Sequence, residues 1–140
     1  MIQITEASWA NPHDQAQLRL IRSEVFIREQ NVPESMEWDE FDTVAVHFLA
    51  TNDVQTIGCV RLLPTGHVGR MAVLPQWRRK GIGRQLLNAC EDRAQQLKLD
   101  QIRLSAQVSA IPFYTAEGYA LSSDTYMDAG IPHRDMYKIL

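Results

Sequence analysis

The chain has 140 residues, 45% of them hydrophobic and 22% charged, with a formal net charge of -3. Those values describe one globular domain over residues 1–140 with an ordinary core, and they argue against a general nucleic-acid binder. No run is long enough to span a bilayer, and Met1-Ile2-Gln3-Ile4 lacks a basic-then-apolar signal pattern, so a soluble cytoplasmic protein with no membrane partner is expected. Cys59 and Cys90 are the only cysteines, far apart and outside any CxxC, which disfavours disulfides and a cysteine-based zinc site.

Ile2 to Glu6 alternates apolar and polar residues and predicts a strand. Leu18, Ile21 and Val25 recur at helical spacing within His13 to Gln30, with Asn11 and Pro12 as the start signal. Asn31 to Thr43 is a polar, acidic segment holding Pro33, read as a loop with at most a short helical turn. Val44 to Thr51 and Gln55 to Leu63 predict a hairpin around Asn52-Asp53-Val54. After Pro64-Thr65-Gly66, His67 to Leu74 predicts another strand, in which Gly69 marks a bulge or a close backbone approach.

Ile82, Leu86, Leu87, Cys90, Ala94 and Leu97 form an apolar stripe at helical period after Gly81. Gln101 to Ala106 reads as a strand and Ser109 to Glu117 as a short helix ended by Gly118. Tyr119 to Thr125 and Arg134 to Ile139 predict two closing strands joined by a loop with Gly130 and Pro132. The order β-α-β-β-β-α-β-α-β-β is an α+β pattern with a mixed, mostly antiparallel sheet flanked by helices.

The most informative stretch is Arg78-Arg79-Lys80-Gly81-Ile82-Gly83-Arg84, between a strand and the central helix. Glycine admits backbone conformations closed to other residues, and a helix opening there aims free N–H groups and its positive dipole end outward. With four cations in seven residues, the stretch describes an anion cradle suited to a pyrophosphate. It is not a Walker A loop, because Gly-Lys-Ser/Thr is absent. It is not a dinucleotide fingerprint either, since Leu86 stands at the third glycine and Ser105-Ala106-Gln107 supplies no acid after the next strand.

Arg78-Arg79-Lys80-Gly81-Ile82-Gly83 fits every position of Gln/Arg-x-x-Gly-x-Gly/Ala, the coenzyme A loop of the GNAT (GCN5-related N-acetyltransferase) superfamily, which the chain resembles. The strand Val68 to Pro75, and Ile111 to Tyr119 after the next strand, resemble the same family. Val25 to Pro33 and Gly130-Ile131-Pro132-His133 resemble its small bacterial ElaA-like subgroup.

The resemblance implies a GNAT acyl-CoA N-acyltransferase using acetyl-CoA as cosubstrate and no metal. It implies that amides of roughly Arg79 to Arg84 hold the pyrophosphate and that the backbone of Met71, Ala72 and Val73 pairs with pantetheine as a pseudo-strand. It places Tyr114 where a phenol can protonate the leaving thiolate. The acceptor is a small-molecule or peptide amine, and a homodimer stays open.

An alkyl ammonium has a pKa near ~10.4 and must lose a proton before attack. Candidates to receive that proton or bind a cationic acceptor are Glu29, the acidic stretch with Glu37 and Asp39, His67 and His133. Two other readings remain: a catalytically silent coenzyme A-binding module on the same fold, and a nucleic-acid binder using the basic loop.

Overall fold

A computed structural model describes residues 1–140. Strands β1 (Gln3–Ala7), β2 (Val46–Thr51), β3 (Thr56–Leu62) and β4 (His67–Val73) pair antiparallel in chain order. Strand β5 (Gln101–Gln107) then runs parallel to β4, and β8 (Ile131–Ile139) pairs antiparallel with β5. The short strands β6 (Ala120–Leu121) and β7 (Tyr126–Asp128) both pair with β8. The sheet is therefore mixed and mostly antiparallel, as the sequence pattern predicts, with one parallel junction at its centre.

Period-two alternation gives the sheet two apolar faces over β2 and β3. On one face Phe48, Ala50, Val60 and Leu62 meet helix α3 (Ile82–Gln96) through Leu86, Leu87, Cys90 and Ala94. On the other, Leu49 and Cys59 meet helix α1 (Pro12–Arg22) through Leu18 and Ile21. Asn11 caps α1 by accepting from the amides of His13 and Asp14 at 3.0 and 3.1 Å, ahead of Pro12 in the first turn. The predicted helix to Gln30 changes period on the way: Ser23–Glu29 is π-helical, and Gln30 N–H closes it on the Val25 carbonyl. No helix is long and apolar enough to cross a membrane.

The acidic segment is more ordered than its composition implies. Helix α2 (Glu34–Glu37) and a 3₁₀ turn at Glu40–Thr43 fold it over three arginines. Arg22, only 1% exposed, donates from Nε to Glu37 at 2.8 Å and from Nη1 to Asp42 at 2.8 Å. Arg61 Nη1 reaches Asp39 and Asp42, and Arg70 reaches Glu37 and Asp39. Trp38 lies 5.0 Å from the Arg22 guanidinium and adds a cation–π contact. Glu37 and Asp42 are thus buried counter-ions rather than a solvated acidic face.

The C-terminal end also departs from the expected pattern. The predicted strand over Tyr119 to Thr125 is broken, and the expected loop around Gly130 and Pro132 is instead a tight hairpin between β7 and β8. Ala129 and Gly130 have φ of 52° and 76°, the pair of left-handed residues that a two-residue type I′ turn requires. Between β6 and β7, Ser123 replaces ladder bonds: its Oγ accepts from Asp135 N–H and its carbonyl from Arg134 Nε.

The Asp42 carboxyl resists protonation: burial would raise its pKa, but the hydrogen bonds and charges of Arg22 and Arg61 outweigh that and hold it below the usual range. A folded pKa below the unfolded one contributes stability that is full above the ordinary carboxylate range and lost as pH falls through the folded value. Asp42→Asn is expected to cost about 3–5 kcal/mol at neutral pH, because it strips two buried guanidinium groups of their shared partner. Urea titrations read both effects: a lower midpoint at pH 7 for the variant, and a smaller further loss than wild type on acidification.

Candidate active site

Strands β4 and β5 pair only at His67 with Arg103 and Val68 with Leu104. Beyond Val68 they diverge, and the edge of β4 facing β5 has no strand partner. A one-residue bulge against β3 accompanies the divergence, with Arg70 at φ 52°. The bulge expected at Gly69 thus falls beside it, and no backbone approaches Gly69 itself. The resulting cleft of about 940 Å³ receives side chains from the π-helical turn, β3, β4, β5, the start of α3, helix α4 (Ile111–Ala116) and the β7–β8 hairpin.

The loop from Leu74 to Gly81 ends with Arg79 at φ 61° and Gly81 at φ 81°, where Gly81 occupies the N-cap without a side-chain cap. Only glycine takes that second conformation without strain. The amides of Trp77 and Arg78 donate to Leu74 and Pro75, those of residues 79–84 donate to no backbone carbonyl, and Gln85 donates to Gly81 at 3.1 Å. Six successive free N–H groups at the head of a 15-residue helix form a concave donor set for an anion. Arg78 is tied to Glu29 by two bonds of 2.7 and 2.6 Å and donates from Nε to the Val73 carbonyl at 2.9 Å. Arg84 pairs with Glu117 at 3.3 Å, which leaves Arg79 and Lys80 exposed without an ion pair. The residues Met71 to Val73 and Arg78 to Arg84 all line the cleft except Lys80.

Tyr114 projects from α4 into the same cleft, edge-on to Phe113 and Tyr119. Its hydroxyl lies 3.9 Å from the Met71 sulfur. Burial, and secondarily the Cys90 thiol, push its pKa up to about 12, so it is a neutral proton donor at physiological pH. Neither cysteine competes for a chemical role, because burial raises both thiols and keeps them protonated.

Across the cleft the sheet face is polar. Helix α1 packs chiefly on β3 and β4, and residues alternating away from the α3 core line the cleft toward β5 and β8. These are Arg61, His67, Ser105, Gln107 and His133, while Val60, Val68, Leu104 and Ala106 point into the core. Gln107 Nε2 donates to Gln30 at 2.8 Å and spans the divergence. The Nδ1 of His133 lies 2.7 Å from the Ile131 carbonyl. A carbonyl can only accept, so Nδ1 is the donor, and in the neutral ring Nε2 holds the lone pair. Burial and the charges of Arg103 and Arg61 lower the pKa of His67.

Of the acceptor-side candidates, Glu29, Glu37, His67 and His133 line the cleft, and Asp39 does not. Glu29 and Glu37 are held by arginines. Sequence reasoning missed Arg61, Arg70, Ser105, Gln107 and Asp128, which also line it. The available signal was the alternation of Arg103, Ser105 and Gln107 with Ile102, Leu104 and Ala106, a polar stripe on a central strand.

A parted parallel strand pair leading into a free-amide loop defines an acyl-CoA transferase class of fold. Residues 9–140 match the acetyltransferase (GNAT) domain family, and the chain belongs to it. It is 36% identical over 122 residues to the uncharacterized N-acetyltransferase YjcF of Bacillus subtilis, spanning 84% of this chain and 87% of that protein. An acyl-CoA N-acyltransferase from Pseudomonas aeruginosa has 30% identity and a TM-score of 0.88, with 99% of each chain covered. Escherichia coli ElaA shares the fold at TM-score 0.89 and 23% identity, again over 99% of each chain. The chain is thus a GNAT-type acyltransferase with an acyl-CoA donor.

Gly81→Ala tests the loop geometry. A Cβ at Gly81 meets no atom within 4 Å, so the expected cost is backbone strain of about 1–2 kcal/mol with no steric clash. Calorimetry with coenzyme A should show weakened binding, and circular dichroism an unchanged fold.

Proposed function

We propose that this protein transfers an acetyl group from acetyl-CoA to a primary amine by direct attack in a ternary complex. The neutral phenol of Tyr114, at the junction of the β4 edge and the free-amide loop, carries this reading. The amides of Arg79 to Arg84 hold the pyrophosphate, with the charges of Arg79 and Arg84 nearby. The free edge of β4 at Met71 to Val73 receives the pantetheine amides as an added strand. The preference for acetyl follows the likeness to a relative named as an N-acetyltransferase.

The amine nitrogen attacks the thioester carbonyl, a C–N bond forms, the C–S bond breaks, and Tyr114 delivers a proton to the leaving sulfur. The proton lost by the amine goes to His133 Nε2, the cleft base whose lone pair no protein group engages. Glu29 and Glu37 suit this role less well, because each is held by an arginine. Holding both reactants against one rigid sheet provides much of the rate.

Tyr114→Phe is expected to lower kcat by about 10²–10⁴-fold with little change in acetyl-CoA affinity, read by free-thiol release and by calorimetry. Unchanged turnover would remove Tyr114 from the mechanism. Binding without transfer across a broad amine panel would identify a silent coenzyme A-binding module instead. A donor with a pKa of about 12 stays protonated through the working range, whereas a free amine becomes more abundant as pH rises. The wild-type rate at fixed total amine is therefore expected to climb to about pH 10 with no falling limb from Tyr114.

A further inference from the structure

Most cleft carboxylates are held by arginines, and two of the cleft guanidinium groups, Arg61 and Arg70, keep N–H groups that no protein atom accepts. Glu29 is held by Arg78, Glu37 by Arg22 and Arg70, and Glu117 by Arg84. Asp128, on the β7–β8 hairpin, is the one acid lining the cleft without an ion pair. Arg61 is only 4% exposed, yet its Nε has no hydrogen-bond partner and Nη1 alone makes its bonds, to Asp39 and Asp42. Arg70 uses Nε and Nη2 on Glu37 and Asp39, which leaves Nη1 without a partner. Of these, Arg61 Nε is buried, and a buried guanidinium N–H without an acceptor is rare, whereas Arg70 is partly exposed to the cleft.

Between these arginines the floor of the cleft is Gly69, whose register partner on β3 is Arg61. Its φ lies outside the left-handed region, and an added Cβ would meet nothing within 4 Å. Neither backbone conformation nor packing requires glycine there. What the missing side chain leaves is a hollow flanked by Arg61, His67 and Arg70, with Ser105 beside them on β5.

We infer that this hollow receives a carboxylate of the acceptor, so that the acceptor class is an amine that also bears a carboxylate. The inference rests on the acyl transfer to an amine proposed above. Arg70 Nη1 supplies a charge-assisted donor, with the Arg61 guanidinium beside it. Asp128 and His133 lie on the hairpin side of the same cleft, where a cationic amine meets a negative charge and a lone pair. Arg22, Arg61 and Arg70 balance Glu37, Asp39 and Asp42, and the two remaining acids of that stretch, Glu34 and Glu40, lie outside the cleft. A free amino acid and a peptide with a C-terminal carboxylate share the required chemistry.

Product-state binding tests this without turnover. N-acetyl amino acids of each side-chain class, and short N-acetyl peptides, are titrated by calorimetry into protein saturated with coenzyme A, each beside its C-terminal amide. At least one acid is expected to bind about tenfold or more tighter than its amide, the contribution of a charged hydrogen-bonded pair. The class that shows the preference identifies the source. Arg70→Gln and Gly69→Ala should each reduce that preference and leave coenzyme A affinity in place, with Gly69→Ala also retaining the wild-type melting temperature. Equal affinity of acids and amides, or no binding of either, overturns the inference. Amino acids are then compared as acceptors with their decarboxylated amines. Equal transfer to both sinks the carboxylate site while the transferase reading stands. A binding preference for acids with no transfer to any amine does the reverse.

Discussion

The divergence of β4 from β5 after two residue pairs is the constraint on which the rest of the structure depends. Two parallel strands need a crossover, and here the crossover is α3. Its apolar stripe packs beneath both strands through Leu86, Leu87 and Cys90, so the parted strands stay anchored to one helix. Because the crossover starts where β4 ends, the free strand edge and the free helix N-terminus fall side by side. One topological event thus supplies a ladder edge and an anion cradle.

A parted sheet exposes backbone and needs reinforcement from outside the ladder. Side chains provide it: Arg78 Nε satisfies the Val73 carbonyl, Cys59 Sγ reaches the Arg70 carbonyl at 3.3 Å, and Gln107 meets Gln30 across the gap. Below them, the arginine–carboxylate network joins α1, β3, β4 and the segment from Glu34 to Thr43. Buried ion pairs gain little over an apolar core, but their geometry admits few alternatives. The network therefore holds the bulged part of β4 in one position, and it cancels the negative charge that the segment would otherwise show the cleft.

The loop at the head of α3 was legible in the sequence because it is made of backbone. Gly81 marks a conformation, the cations mark a charge, and the stripe from Ile82 to Ala94 marks the helix that the loop opens; the structure assembles all three as read. Tyr114 needed the family resemblance, since a lone tyrosine carries no local signal. The acidic stretch was read as a loop because composition cannot show that Arg22, fifteen residues from Glu37, folds back beneath it. The hairpin at Ala129-Gly130 was missed because alanine is a poor predictor of a left-handed turn residue.

The same distinction explains why one fold serves different acceptors. Free amides and a free strand edge suit the phosphate and amide groups that every acyl-CoA shares, and they tolerate side-chain change. The opposite wall is built from side chains on alternate residues of β3, β4, β5 and β8, and each can be exchanged without disturbing the core behind it. In this chain that wall carries Arg61 and Arg70 around a glycine that the fold does not need. That wall is made by side chains rather than by the family's backbone, which is why the acceptor has to be read chain by chain.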